Sequence, residues 1–240
     1  MSRSGSKITW SRIAPARREL LEALVAEYSH HYAKGRTVLA VDGPDGAGKT
    51  VFADDLATAF ERAGHATFRA SIDDFHHPRE FRHRAGRFSA SGYYRDAFDY
   101  SLFRRVLLEP FRMGGSTGFQ LRAFDLARDT PLEAAWTTGP ADAVLIVDGV
   151  FLNRPELRGA WNWSLWLDAR ADVRLARMVA RDGADPSPGA ASNLRYSEAQ
   201  RLYVRDAHPN TTADAIVDNT DPETPTRRFA DFCSIEPAPL

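Results

Sequence analysis

The stretch TVLAVDGPDGAGKTV, Thr37 to Val51, decides how the rest of the chain is read. Four apolar residues, Val38 to Val41, run into a glycine-punctuated turn that ends in Gly48-Lys49-Thr50, so Gly43 to Thr50 fits G-x-x-x-x-G-K-[ST]. A buried strand feeding such a turn and then a helix is the setting in which this pattern cradles phosphate. Gly43, Gly46 and Gly48, with Pro44, Asp45 and Ala47 between them, let backbone N–H groups curl around an anion without a Cβ in the way. The helix entered at Lys49, Thr50 and Val51 adds its dipole. Lys49 is expected to reach the outer phosphates of a nucleotide and the Thr50 hydroxyl to ligate Mg²⁺. Apolar positions 52, 56 and 60, with a stop at Gly64, predict the helix that holds the cradle open.

Further along, DAVLIVDGVFL at 142–152 is a second buried strand, and its apolar run ends in Asp148. A carboxylate at that position of a nucleotide-binding sheet holds Mg²⁺ directly or through water. Residues 66–72 alternate as a strand and end in SIDDFHHPRE. A carboxylate just past a strand's C-terminal end lies on the edge where open α/β sheets bind ligands, which makes Asp73 the candidate to orient and deprotonate an attacking hydroxyl. The alternative is that Asp73 or Asp74 caps a turn. The spacing of His76, His77 and His83 matches no zinc pattern. Arg79, Arg82, Arg84 and Arg87 form either a solvated loop or a flap that meets an anionic group on a substrate.

The segment GYYRDAFDY leads into a helix with Leu102, Phe103, Val106 and Leu107 on one face, capped by Asp99, and FQLRAFDL at 119–126 alternates like a short flap strand. WSLWLDA at 163–169 is a further strand, and ADVRLARMVARD at 171–182 a helix on which Arg174, Arg177 and Arg181 share a face. Such a stripe either neutralises charge on a transferring phosphoryl group or is a solvated face. GADPSPGAAS at 183–192 is a flexible break, consistent with a mobile lid over about 174–195, before a helix at 194–207 and a short last strand at 214–219. Ahead of the cradle, a helix from about Pro15 to Tyr32 is expected to pack on the core.

With 240 residues, 43% of them hydrophobic, the chain can build one large α/β domain. A net charge of −1 supplies no general reason to bind nucleic acid or membrane. Of 31 basic residues 28 are arginine, a bias that suits bidentate phosphate recognition. The single cysteine, Cys233, the lack of an apolar core in MSRSGSKITW and the lack of any long apolar run suit a soluble cytoplasmic protein, monomeric or homo-oligomeric.

Taken together, GPDGAGKT, SIDDFH, DAFD, LIVDGVF and the R-x-x-R-x-x-x-R-D helix resemble the uridine kinase and phosphoribulokinase family of P-loop kinases. The resemblance implies an α/β P-loop NTPase fold: a mostly parallel central sheet with helices on both faces and a small substrate flap and lid. It divides the chain into a helical extension at 1–36, a kinase domain at 37–220 and a tail at 221–240 with no readable motif. It also implies ATP as donor, Mg²⁺, and a small-molecule hydroxyl as acceptor, most simply a nucleoside such as uridine. Asp73 matches the family's catalytic aspartate, and Arg177 and Arg181 match the lid arginines that meet the phosphates. His76, Tyr93, Tyr94, Asp96, Phe98 and Phe124 fall where the acceptor is held. Tyrosine replaces the acid expected to hold ribose hydroxyls, and the pyrimidine-reading histidine and arginine after Phe124-Asp125 have no counterpart.

Overall fold

The computed structural model describes residues 10–32 and 34–229; Cys233 and residues 230–240 of the tail lie outside that range. The strands are β1 (Thr37–Asp42), β2 (Thr67–Ser71), β3 (Phe124–Asp125), β4 (Thr130–Pro131), β5 (Val144–Gly149), β6 (Trp163–Asp168), β7 (Ala215–Asp218) and β8 (Thr226–Arg228). Six of them form one sheet in the order β2-β5-β1-β6-β7-β8, parallel except for β8, while β3 and β4 make a separate antiparallel pair. The helices are α1 (Pro15–His31), α2 (Lys49–Arg62), α3 (Arg79–Arg82), α4 (Ala90–Asp96), α5 (Tyr100–Phe103), α6 (Glu109–Met113), α7 (Ala171–Asp182), α8 (Ala191–Ala207) and α9 (Pro209–Thr212). None is long and apolar enough to cross a membrane.

The central strands read as unbroken apolar runs because both faces of the sheet are covered. Leu39, Val41, Ile146 and Leu165 pack with Leu21, Leu24 and Tyr28 of α1 and Phe52, Leu56 and Phe60 of α2. Their neighbours Val38, Ala40, Leu145 and Val147 point the other way, against Phe103, Leu107, Phe151 and, on α8, Tyr203. Asp99 caps α5 as expected, accepting from the Leu102 N–H at 2.8 Å.

Three local expectations are corrected. The expected helix through 102–107 is interrupted: a π-turn at Arg104–Leu108 separates α5 from α6. Pro110 explains it, since proline has no N–H to return to the Val106 carbonyl and its ring crowds that oxygen. The Val106 carbonyl instead accepts the Gln120 N–H at 2.8 Å. That bond, and one from Ala123 N–H to the Asp74 carbonyl, draw residues 119–126 away from regular pairing, so only Phe124–Asp125 forms a strand there. The helix expected from 194 begins at Ala191. Within the tail, β8 pairs antiparallel with β7 as the edge strand and Arg227 grips Glu27 of α1 with both terminal nitrogens.

Arg17 of α1 is buried, its Nε 2.7 Å from Asp55 Oδ2 on α2, and it donates to Asn219 Oδ1 at 3.1 Å and the Pro222 carbonyl at 3.0 Å. Removing one partner of a buried pair leaves the other charge without compensation. Arg17→Met should therefore lower unfolding free energy in a denaturant titration by about 3–5 kcal/mol. Arg205→Met, which breaks only the exposed pair with Asp206, should leave the midpoint unmoved.

Candidate active site

The cradle is constrained by the protein around it as well as by the anion it suits. A Cβ on Gly43 would lie 2.1 Å from the Leu167 carbonyl oxygen. Gly48 stands in the left-handed region at φ 91°, where a Cβ would come 2.8 Å from Asn219 Nδ2. Gly48 is also the N-cap of α2, and no side chain caps that end, so the first N–H groups of the helix face the turn. The Lys49 ammonium donates to the Pro44 carbonyl at 2.8 Å. Beneath the turn, buried Asp42 accepts from Gly43 N–H at 2.7 Å, from Asn153 Nδ2 at 2.8 Å and from the Tyr203 hydroxyl. Burial raises the carboxyl of Asp42 and carries the Tyr203 phenol well above its ordinary range, so the phenol stays the donor.

Strand register brings the second acid to the cradle. Asp148 lies opposite Val41 of β1 and Ser71 of β2, one residue short of the strand's C-terminal end. Its Oδ2 accepts from the Thr50 hydroxyl at 2.7 Å, and its Oδ1 from Arg69 Nη2 at 2.9 Å. Two hard oxygen groups in contact, one of them an anion at the mouth of the cradle, fit Mg²⁺, which takes few protein ligands and keeps water and phosphate oxygens for the rest. Arg69 had no signal in the sequence beyond its place in a strand; its Nε also holds Asp54 at 3.0 Å.

Asp73 sits in a 3₁₀ turn, Ile72–Phe75, which Ser71 rather than an aspartate caps. Asp45, Gly46, Gly48, Lys49, Thr50, Val51, Asp73, Asp148 and Arg181 line one cleft. Asp74 turns instead towards Arg122, at 3.5 Å. His76 is buried and its Nδ1–H donates to the Asp73 carbonyl at 2.7 Å. The Tyr93 hydroxyl donates to Asp45 Oδ1 at 3.1 Å, so its polar end reaches the cradle. Tyr94 and Phe98 pack in the core against Phe151, and Phe124 is buried in β3. The Asp96 carboxylate takes a two-pronged contact from Arg84 at 2.6 and 3.2 Å.

The arginine stripe of α7 divides its tasks. Arg174 Nε donates to the Ala169 carbonyl at 3.0 Å. Arg177 reaches the carbonyls of Gly46, Ala47, Asn219 and Thr220, at 3.4, 3.3, 2.9 and 3.0 Å. Arg181 pairs with Asp182 and stands in the wall of the cleft. Asn219 Nδ2 donates to the Ala47 carbonyl at 2.8 Å, a link no motif announces.

A strand-borne phosphate cradle with an acid on the neighbouring parallel strand is shared by many nucleotide-binding proteins, so sequence likeness decides among them. The model of the phosphoribulokinase / uridine kinase family matches residues 38–187. The chain belongs to that family. No curated protein matches the chain significantly. Among solved structures, a possible uridine kinase from Bacillus stearothermophilus superposes with a TM-score of 0.66 at 23% identity, covering 83% of this chain and 97% of its own. D-glycerate 3-kinase from Cryptococcus neoformans var. grubii gives 0.56 at 16% identity, covering 85% and 96%. These likenesses concern the P-loop kinase fold, to which the parallel sheet and its two helical layers conform.

Burial depresses the His76 ring from 6.5 to about 4, with the cations of Arg82 and Arg195 acting in the same direction, so the folded protein holds it neutral. The unfolded chain binds that proton more readily, so stability is complete above pH 6.5 and falls as pH drops from 6.5 towards 4. The loss assigned to this ring is on the order of 3 kcal/mol. His76→Phe should lack that part of the acid slope, as read from denaturation midpoints across the window; an unchanged slope would remove His76 as its source.

Proposed function

We propose that this protein is an ATP-dependent phosphotransferase that phosphorylates a hydroxyl of a small molecule in the cytoplasm. The observation that supports it most is the single cleft in which Lys49, Thr50, Asp148 and Arg181 meet Asp73. A nucleotide switch needs the first four and has no use for an acid placed to receive an acceptor's proton. In this reading the backbone of Gly43 to Val51 wraps the phosphates, with Pro44, Asp45 and Ala47 forming the turn, and Arg177 braces it from the α7 side. Thr50 and Asp148 hold Mg²⁺, which supplies neutralisation of phosphate charge when bound. Lys49 and Arg181 stabilise charge on the transferring group, and Asp73 receives the hydroxyl proton as the acceptor oxygen bonds to the γ-phosphorus and ADP leaves. Helix α7 contains no buried residue, which suits the lid role of about 174–195.

A nucleoside such as uridine is the acceptor that family likeness brings first. A different metabolite, such as a sugar or another small alcohol, is favoured by the site itself, where Arg84 engages Asp96 and Tyr94 and Phe98 belong to the core. Of the acceptor candidates, His76 bonds to the Asp73 carbonyl and Tyr93 to Asp45 of the cradle.

Lys49→Ala should abolish nearly all phosphoryl transfer; wild-type turnover in that variant would sink the assignment of the cradle. Asp73→Asn should cut turnover by roughly 10² to 10⁴ while calorimetric ATP affinity stays within a few-fold. Asp74→Asn, whose carboxylate lies at Arg122, should be milder. If Asp74→Asn is the more damaging, the proton acceptor has been misassigned.

A further inference from the structure

The acid at the mouth of the cradle has a cation behind it. Strand β2 lies at the sheet edge beside β5, and its register sets Arg69 opposite Ile146 and Ser71 opposite Asp148, so Arg69 and Asp148 project from the same face of the sheet. Every nitrogen of the Arg69 guanidinium has an acceptor there. Nη2 donates to Asp148 Oδ1 at 2.9 Å, Nη1 to the carbonyls of Ile146 and Ala70 at 2.9 and 3.2 Å, and Nε to Asp54 Oδ1 on α2 at 3.0 Å. The planar group is thereby fixed in direction as well as in place, which the single ammonium of a lysine would not achieve.

Asp148 is buried, and both its oxygens are engaged: Oδ1 by Arg69 and Oδ2 by the Thr50 hydroxyl. The one hydroxyl hydrogen of Thr50 is spent on that bond, so what Thr50 has left for a cation is its lone pairs. The charge around them is balanced. Asp45, Asp73 and Asp148 line the cleft together with Lys49 and Arg181, and Arg69 stands behind Asp148 as a third cation. A bare divalent ion gains little from a carboxylate already paired with a guanidinium, whereas an ion carried by a nucleotide comes with phosphate charge of its own.

Resting on the assignment of Thr50 and Asp148 to Mg²⁺ above, we propose that Arg69 is the positioning residue of the metal site: it holds Asp148 onto Thr50 and offsets its charge, so that the site takes a divalent cation only together with nucleotide phosphates. Removing the guanidinium leaves a buried carboxylate without compensation, which a free ion then satisfies. Without Arg69 the site fills before the nucleotide arrives.

The test reads metal binding without turnover, from the loss of the paramagnetic resonance of free Mn²⁺ and from the rise in melting temperature that Mn²⁺ causes in the absence of nucleotide. Arg69→Met should bind Mn²⁺ alone about 10-fold more tightly than wild type, and Arg69→Lys, which keeps the charge, should stay close to wild type. Arg69→Met/Asp148→Asn should lose the gain, because the carboxylate that Arg69 offsets is gone. A wild-type response in Arg69→Met, or a gain that persists in the double variant, overturns the proposal. Asp54→Asn, which breaks only the half-exposed pair, should respond as wild type does; a gain equal to that of Arg69→Met would make Arg69 a staple between β2 and α2 and overturn the proposal as well. Should Arg69→Met fold poorly, Mn²⁺ should restore it and the double variant should fold without the ion, and rescue by neither counts against the role of Arg69. The metal assignment itself is read from the calorimetric affinity of wild type for a non-hydrolysable ATP analogue with Mg²⁺ and with a chelator. Indifference to Mg²⁺ removes Thr50 and Asp148 as its holders and Arg69 with them, whereas a clear Mg²⁺ dependence beside an unaltered Arg69→Met loses Arg69 alone.

Discussion

The hydrogen bond from the Thr50 hydroxyl to Asp148, 2.7 Å long, joins the first turn of α2 to the end of β5, and it exists only because β1 and β5 run parallel in one register. With Val41 opposite Asp148, the turn leaving β1 and the acid ending β5 emerge on the same edge of the sheet. A shift by one residue would exchange the two faces of β5, carrying Asp148 into the apolar layer that Leu145 and Val147 would leave. The hydrophobic register and the polar site therefore enforce the same alignment. Arg69 on β2 extends the constraint to a third strand, since its guanidinium reaches the same carboxylate from the outer side.

Two buried polar networks hold the cradle against this edge. From one side Arg17, Asp55 and Asn219 form a chain ending on the Ala47 carbonyl, so the N-terminal helix and the segment after β7 both reach the turn. From the other side Asp42 gathers Gly43, Asn153 and Tyr203, which fastens α8 to the turn's entry. Such buried groups are costly to desolvate, and apolar residues of similar size would often be at least as stabilising. What the polar versions supply is direction: a carbonyl or N–H is held at one angle, whereas apolar packing tolerates small rotations. A phosphate cradle built from main-chain donors needs that angular control.

The donor side of the cleft was legible in the sequence because its chemistry is local. A strand, a glycine turn and a helix occupy consecutive residues, so spacing alone carries the geometry, and Asp148 follows from an apolar run ending in an acid. The contributions of Arg69, Asn219, Arg17 and Tyr203 were not legible, since each acts across a strand register or a helix packing that no short window encodes. The π-turn before Pro110 and the edge strand at Thr226–Arg228 escaped for related reasons: one depends on a carbonyl diverted to Gln120, the other on a partner strand and on Glu27. In the segments read from the sequence as holding an acceptor, composition suggested more than the fold delivers, because aromatics and arginines near a cleft also serve as core and as ion pairs. Tyr94 and Phe98 pack edge-to-face with Phe151, and Arg84 holds Asp96, whereas Tyr93, one residue from Tyr94, reaches the cradle.

Asp45 shows how the two sides of the cleft are mechanically joined. It belongs to the phosphate turn by sequence, yet its carboxylate is held by Tyr93 of α4 and Gln200 of α8. Any displacement of α8 relative to α4 therefore pulls on the turn through a carboxylate as well as through Tyr203 and Asp42. Helix α7, which precedes α8, is attached by Arg174 and Arg177 to carbonyl oxygens and buries no residue, so its attachment is polar and exchangeable with water. Helix α8 buries Ala199 and Tyr203 and is anchored. The fold thus sets a weakly held helix bearing Arg181 beside a firmly held one bearing Arg195.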